Sequence, residues 1–174
     1  NEAKQIWSMN TCQLKVEMVD WLYTMIQHSQ QDINIAAAKA LAHAWVLFPS
    51  ILESSLSNLI QLFTTSIDEI VENAQSVNNL HIAATTEIIR APIRAAIVIT
   101  IGEASSLYHN LDLLNLIVEF LINQGLKDFD DTVWNNVLDA GLKIVATCGQ
   151  EHIEWLLPKL NTYLNNIEEL KAGQ

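Results

Sequence analysis

Cysteine is nearly missing from these 174 residues: Cys12 and Cys148 stand far apart and form no CxxC, so neither a disulfide framework nor a zinc site is expected. A reducing, cytoplasmic setting is the simpler reading. Glycine and proline are scarce too, at five and three, which is too few for the many turns of an all-β protein. Positive charge is the third shortage. Nine Lys plus Arg stand against twenty Asp plus Glu, for a net charge of -11. That balance opposes the phosphate backbone whose neutralisation supplies most nucleic-acid affinity, and no direct nucleic-acid binding is expected. An anionic membrane surface would repel the chain for the same reason. A long hydrophobic run is also lacking: AAIVITI, at 95–101, lies between Arg94 and Glu103. Spanning a bilayer takes roughly 20 apolar residues, so this run reads as a buried helix.

The usual equipment of chemistry is missing as well. There is no Gly-rich phosphate loop, no HExxH, no GxSxG, and no His or Cys pair at ligand spacing. His28, His43, His81, His109 and His152 are scattered. The acidic cluster Asp128, Asp130 and Asp131 is the best metal candidate, but an EF-hand register from Asp128 puts Val133 where glycine is needed. Helix capping is the better role for it. No catalytic residue, cofactor or metal ligand is assigned, and the chain reads as non-enzymatic.

What is present is apolar residues at helical spacing. Half the residues are apolar and 17% are charged, so nearly every element needs burial on more than one side. The class is all-α. The first helix is expected over 12–29, with Val16, Val19, Leu22, Met25 and Ile26 on one face. A second begins at an Asp32 N-cap, carries Ile33, Ala37, Ala40, Leu41, Ala44, Trp45 and Phe48, and stops at Pro49. A third, unusually long, covers about 50–74, with Leu52, Leu56, Leu59, Ile60, Phe63, Ile67 and Ile70 inward. The stretch 72–92 lacks a cap or a long period and reads as an irregular insertion, its linker running over 75–89. Pro92 is placed at the first turn of a fourth helix, in which Gly102 marks a tight crossing. A fifth, at about 111–124, has only one narrow polar stripe (Asp112, Asn115, Glu119, Asn123) and is expected to be sandwiched. Gly125 and Leu126 fit a Schellman stop. A sixth helix then runs to Gly149 on Val133, Val137, Ala140, Gly141, Ile144, Val145 and Cys148. The seventh, at about 151–165, contains Pro158, which predicts a bend. Trp21 and Trp45 are expected in the core.

The second helices of successive pairs start at Ile33, Ile93 and Val133, 60 and then 40 residues apart. A unit of roughly 40 residues is the period of HEAT and armadillo repeats. Residues 1–174 therefore read as a single stretch of α-solenoid, a HEAT-type superhelix of about three and a half antiparallel helix pairs. The extra twenty residues fall in the middle pair. With Asn1 at the start, KAGQ at the end and no polar capping repeat, the chain reads as a fragment of a longer protein. In the apolar-basic position that HEAT repeats carry early in the second helix stand Ile33-Asn34, Ile93-Arg94 and Val133-Trp134. Asn34, Arg94 and Trp134 are thus the candidates for an inter-repeat or partner surface. Only Arg94 keeps the basic residue; Asp32 and Asp131 keep the acidic one, and Pro158 the first-helix proline.

Within HEAT proteins the chain resembles the ribosome-associated translational activator of general amino-acid control, the general-control-non-derepressible family. The likeness is carried by GLKDFDDTVWNNVLDAGLKIVATCGQEHIEWLLPKLNTYL, residues 125–164. Its specific parts are Gly125-Leu126, Asp128, Leu138-Asp139-Ala140, the Gly149-x-Glu151 turn and Leu156-Leu157-Pro158 leading to Leu164. AAAKALAHAWVLFP, at 36–49, is similar to an upstream repeat of the same proteins. The resemblance implies a cytoplasmic scaffold lying along ribosomes that helps activate the initiation factor two alpha kinase in amino-acid starvation. Its implied partners are ribosome-associated proteins, an ATP-binding-cassette protein and the kinase, not necessarily through this segment. The other readings are a HEAT scaffold of a different complex, such as a phosphatase regulatory subunit or a nuclear-transport receptor, and an all-α enzyme or carrier.

Overall fold

The computed structural model describes residues 2–74 and 80–172, with side chains over 13–74 and 81–162. Seven α-helices follow one another: α1 (Glu2–Ile26), α2 (Gln31–Leu47), α3 (Leu52–Ala74), α4 (Leu80–Glu103), α5 (Leu111–Asn123), α6 (Asp131–Cys148) and α7 (Ile153–Ala172). Short 3-10 turns at Pro49–Ile51, Ser105–Leu107 and Gly125–Lys127 join them, and no strand occurs among the described residues. The helices form two layers. One contains α2, α4 and α6, each packed against the next, and α1 and α3 pack on its outer side against α2 and α4. This is the all-α, HEAT-type solenoid arrangement. No single helix among the described residues is long and apolar enough to cross a membrane. Gln31–Leu47 and Pro49–Ala74 together reach that composition, but the chain bends by 115° between them.

Each helix ends where its backbone groups find other partners. Asn110 caps α5 by accepting from the Asp112 amide, and Asp130 caps α6 by accepting from the Thr132 and Val133 amides. Tyr108 is fully buried and donates to Ile101 O at 2.8 Å, satisfying a carbonyl in the last turn of α4. Burial in that corner pushes its hydroxyl pKa far up.

Several sequence expectations change. Of the expected linker, 75–79 lie outside the described residues, and 80–89 is the first part of α4. Thr85 and Thr86 donate back to His81 O and Ile82 O, so their hydroxyls are satisfied within the helix. Ala83 is buried, and Arg90 reaches Glu69 of α3 at 2.8 Å. Pro92 therefore sits inside α4 rather than at its first turn. Its missing amide costs one backbone bond, offset by burial of Ile93, Ala95, Ala96, Ile97, Val98 and Ile101. The extra twenty residues lengthen both helices of the α3–α4 hairpin, to 23 and 24 residues, instead of forming a linker. The long α3 follows its predicted face, with Leu52, Leu56, Leu59, Phe63 and Ile70 buried.

Asp32 is not the cap of α2. The helix begins one residue earlier, after Gln30, and Asp32 lies in its first turn, where a carboxylate favours the helix dipole. Gly125 has no positive φ, so it is not a Schellman glycine. It is needed for space: a Cβ there would lie 2.9 Å from a methyl of Val137. Gly102 does mark a tight crossing, since its Cβ would lie 3.0 Å from Ala140 Cα, where α4 and α6 meet. Trp45 is fully buried, but Trp21 and Val16 face outward, because α2 covers α1 along Leu22 and Ile26. Both Leu111 and Leu116 of α5 are exposed, so this helix is covered on fewer sides than its composition suggests.

Candidate protein-binding surface

Asn34, Arg94 and Trp134 stand at matching repeat positions, Asn34 and Trp134 on the first turns of α2 and α6 and Arg94 in the second half of α4, but their surroundings differ. Asn34 is fully buried, and its side-chain amide donates to Ile26 O at 2.5 Å and His28 O at 2.7 Å. Facing two carbonyls, the amide must present nitrogen to both. It thereby closes the C-terminus of α1 onto α2. Replacement by alanine leaves those carbonyls short of donors and is expected to cost about 1–3 kcal/mol, read from the denaturant midpoint. Asn34→Asp should cost more at neutral pH, since a carboxylate cannot donate. The carboxyl, its pKa raised by burial and by the carbonyls, should recover stability as acidification protonates it.

Arg94 is fully buried, and three carboxylate oxygens hold it. Nε donates to Asp128 Oδ2 at 2.7 Å, Nη2 to Asp128 Oδ1 at 3.1 Å and to Glu87 Oε1 at 2.7 Å. The Phe129 ring lies 5.2 Å from the guanidinium carbon. Burial alone would lower the guanidinium pKa, but the two carboxylates outweigh it and the net shift is upward. Asp128 also accepts from the Asp130 amide, so one carboxylate fixes the loop before α6 and ties it to α4. The acidic partner of the repeat-to-repeat link is thus Asp128, not Asp131 or Asp32. The signal available in the sequence was an aspartate 34 residues beyond the only basic residue kept in the HEAT position.

Trp134 is 41% exposed. Arg94 and Asn34 are structural ties, inaccessible to a partner; Trp134 is accessible. Two further ion pairs join like helices one repeat apart: Lys143 of α6 to Glu103 of α4 at 3.0 Å, and Lys159 of α7 to Glu119 of α5, each across 40 residues. Four of the nine basic residues, Arg90, Arg94, Lys143 and Lys159, are therefore already neutralised internally. Beside exposed lysines such as Lys39 and Lys127, the described surface offers a partner carboxylate and apolar side chain.

An apolar groove of about 420 Å³ lies between α5, α6 and α7, lined by Val118, Leu121, Leu138, Leu142, Val145 and Leu156 among others. No group of three or more His, Cys, Asp or Glu able to hold a metal occurs among the described residues. Cys148 is buried, with its thiol 3.4 Å from Ser105 O. Chemically, such surfaces bury apolar area and pair charge.

No solved structure matches the chain. Among curated proteins it is similar to Protein ILITYHIA of Arabidopsis thaliana, at 27% identity over 144 residues, 83% of this chain and 5% of that protein. The chain thus spans about one twentieth of the length of that relative. Residues 1–173 match the family described as "Stalled ribosome sensor GCN1, HEAT repeats". With α2, α4 and α6 stacked one repeat apart and tied by Arg94 to Asp128, the chain belongs to the HEAT-repeat family of the stalled-ribosome sensor GCN1.

Proposed function

We propose that this chain is a non-catalytic stretch of a cytoplasmic, ribosome-associated scaffold that promotes activation of the initiation factor two alpha kinase in amino-acid starvation. The observation that carries this reading is the family match over residues 1–173. The mechanism is positional: a stack of rigid helix pairs fixes the spacing between partners that bind along it. The partners are ribosome-associated proteins, an ATP-binding-cassette protein and the kinase, held by the array as a whole. With a net charge of -11 and its buried cation committed to Asp128 and Glu87, this stretch faces protein or solvent rather than ribosomal RNA.

The test is affinity purification of the intact parent protein beside a version lacking residues 12–165. Ribosomes, the cassette protein and the kinase are expected with the intact protein, and loss of a partner on deletion would assign a contact or a spacing to this stretch. Recovery of a phosphatase subunit or transport cargo in their place would overturn the reading. Crosslinks from this stretch mainly to ribosomal RNA would overturn its orientation.

A further inference from the structure

Adding 60 to Gln31 of α2 gives Ala91 of α4, and adding 40 more gives Asp131 of α6, so the three second helices draw level at these positions. Both α2 and α6 begin there. Helix α4 does not: residues 80–90 carry it about 16 Å farther, at about 1.5 Å of rise per residue, so the α3–α4 hairpin stands out past the starts of its neighbours. Where this arm rises from the stack there is a pocket of about 220 Å³. Part of its lining is apolar, made by Ala91, Pro92 and Ile88, and Ile88, at 75% exposed, is the most exposed large apolar side chain among the described residues. The rest is polar: Gln31, Thr132 and two carboxylates, Glu87 and Asp130. No cation lines it.

Positive charge is what this corner lacks. Glu87 gives Oε1 to Arg94 Nη2, but its Oε2 is buried with no partner. Arg94 is also bound to Asp128, so a single guanidinium is shared between two carboxylates. Its own Nη1 lacks a partner too, but Arg94 does not line the pocket, and what faces the corner is the carboxylate side of the pair. Asp130 accepts both α6 amides through Oδ1, leaving Oδ2 outside the cap. Pro92 has no amide to give Ile88 O, four residues back, so the helix adds an acceptor of its own. The starts of α2 and α6 would by themselves favour an anion, but Asp32, Asp130 and Asp131 already answer them.

We propose that this corner receives one arginine side chain from an exposed segment of a partner protein, its guanidinium between Glu87 and Asp130 and its methylenes on Ile88, Ala91 and Pro92. A small turn of the Glu87 carboxylate, whose side chain is 21% exposed, brings Oε2 to the incoming donors. A guanidinium fits better than an ammonium, because it is flat and weakly hydrated and one side of the pocket offers it no hydrogen bonds. The volume suits a single long side chain rather than a helix. Phosphate groups of a nucleic acid are repelled by the same two carboxylates. The site goes beyond the ribosome reading and stands without it.

The experiment uses the full-length parent protein and the probe acetyl-Leu-Arg-photoleucine amide, beside the same peptide with citrulline, the neutral isostere, or lysine in place of arginine. On irradiation the arginine probe is expected to label residues 87–92 and 130–132 about tenfold more than the citrulline probe, and more than the lysine probe. Glu87→Gln with Asp130→Asn should lower that labelling about tenfold. Both amides still accept from Arg94 and from the start of α6, so the fold survives, which a cooperative thermal transition checks. Glu53→Gln with Asp112→Asn makes the same charge change at residues that line no part of the pocket, and should leave labelling unchanged. Equal labelling by arginine and citrulline, labelling spread along the chain, or equal loss in the two double variants would overturn the site. A lysine probe as strong as the arginine probe would overturn the choice of guanidinium. Labelling of the corner in a protein that recovers no ribosomes would keep the site and overturn only the ribosome reading.

Discussion

Arg94→Met is expected to destabilise the fold by about 3–5 kcal/mol, because it removes the cation paired with a fully buried Asp128 side chain and strands Glu87 beside it. Methionine keeps much of the volume, so the loss reports charge rather than a cavity. The second variant in the series decides the matter. Arg94→Met combined with Asp128→Asn removes both buried charges and leaves an amide that can still accept from the Asp130 amide. It should recover most of the lost stability, since removing a whole buried pair costs far less than orphaning one member. Urea midpoints for the parent, both single variants and the double variant form the cycle. A double variant no more stable than Arg94→Met would show that the arginine contributes by packing on Phe129 and its neighbours, not by pairing. Functionally the distinction matters: the pair joins α4 to the loop that launches α6, so its loss should loosen one repeat from the next.

Phe63→Ala should cost a similar amount, about 3–5 kcal/mol, through the second layer. Phe63 of α3 is fully buried and meets Phe120 of α5 edge to face, with ring centroids 5.0 Å apart and planes at 86°. Most of the cost is the cavity. Only about 0.5–1.5 kcal/mol belongs to the ring pair, which the milder Phe120→Leu reads separately. Thermal unfolding of the two variants gives both terms. If Phe63→Ala cost no more than Phe120→Leu, the site would have collapsed around the smaller side chain and the layer would be softer than its burial implies. The two substitutions sample different joints, one polar between second helices and one apolar between first helices. A scaffold that works by holding distances depends on both.

How much could be read beforehand depended on how each element is stabilised. The faces of α3 and α6 were legible because their apolar residues recur at helical spacing and burial follows that spacing: Leu56, Leu59 and Phe63 in one, Val133, Val137 and Ile144 in the other. The first half of α4 was not. Its His81, Thr85 and Thr86, with Pro92 just beyond, argue locally against a helix, and packing on α3 and the Arg90 pair with Glu69 tip the balance. Trp21 and Trp45 carry the same intrinsic drive to be buried, yet one is 60% exposed and the other fully covered, because α2 lies over one side of α1 and not the other.

The sequence by itself determined the class, the roughly 40-residue period and the tight crossing at Gly102, since periodicity, composition and motif spacing are local properties of the chain. Tertiary structure alone decided which aspartate meets Arg94, which tryptophan is covered and which face of α6 is left open. Those outcomes depend on side chains of different helices meeting, 34 residues apart for Arg94 and Asp128, and no pattern within one helix encodes what the next one brings.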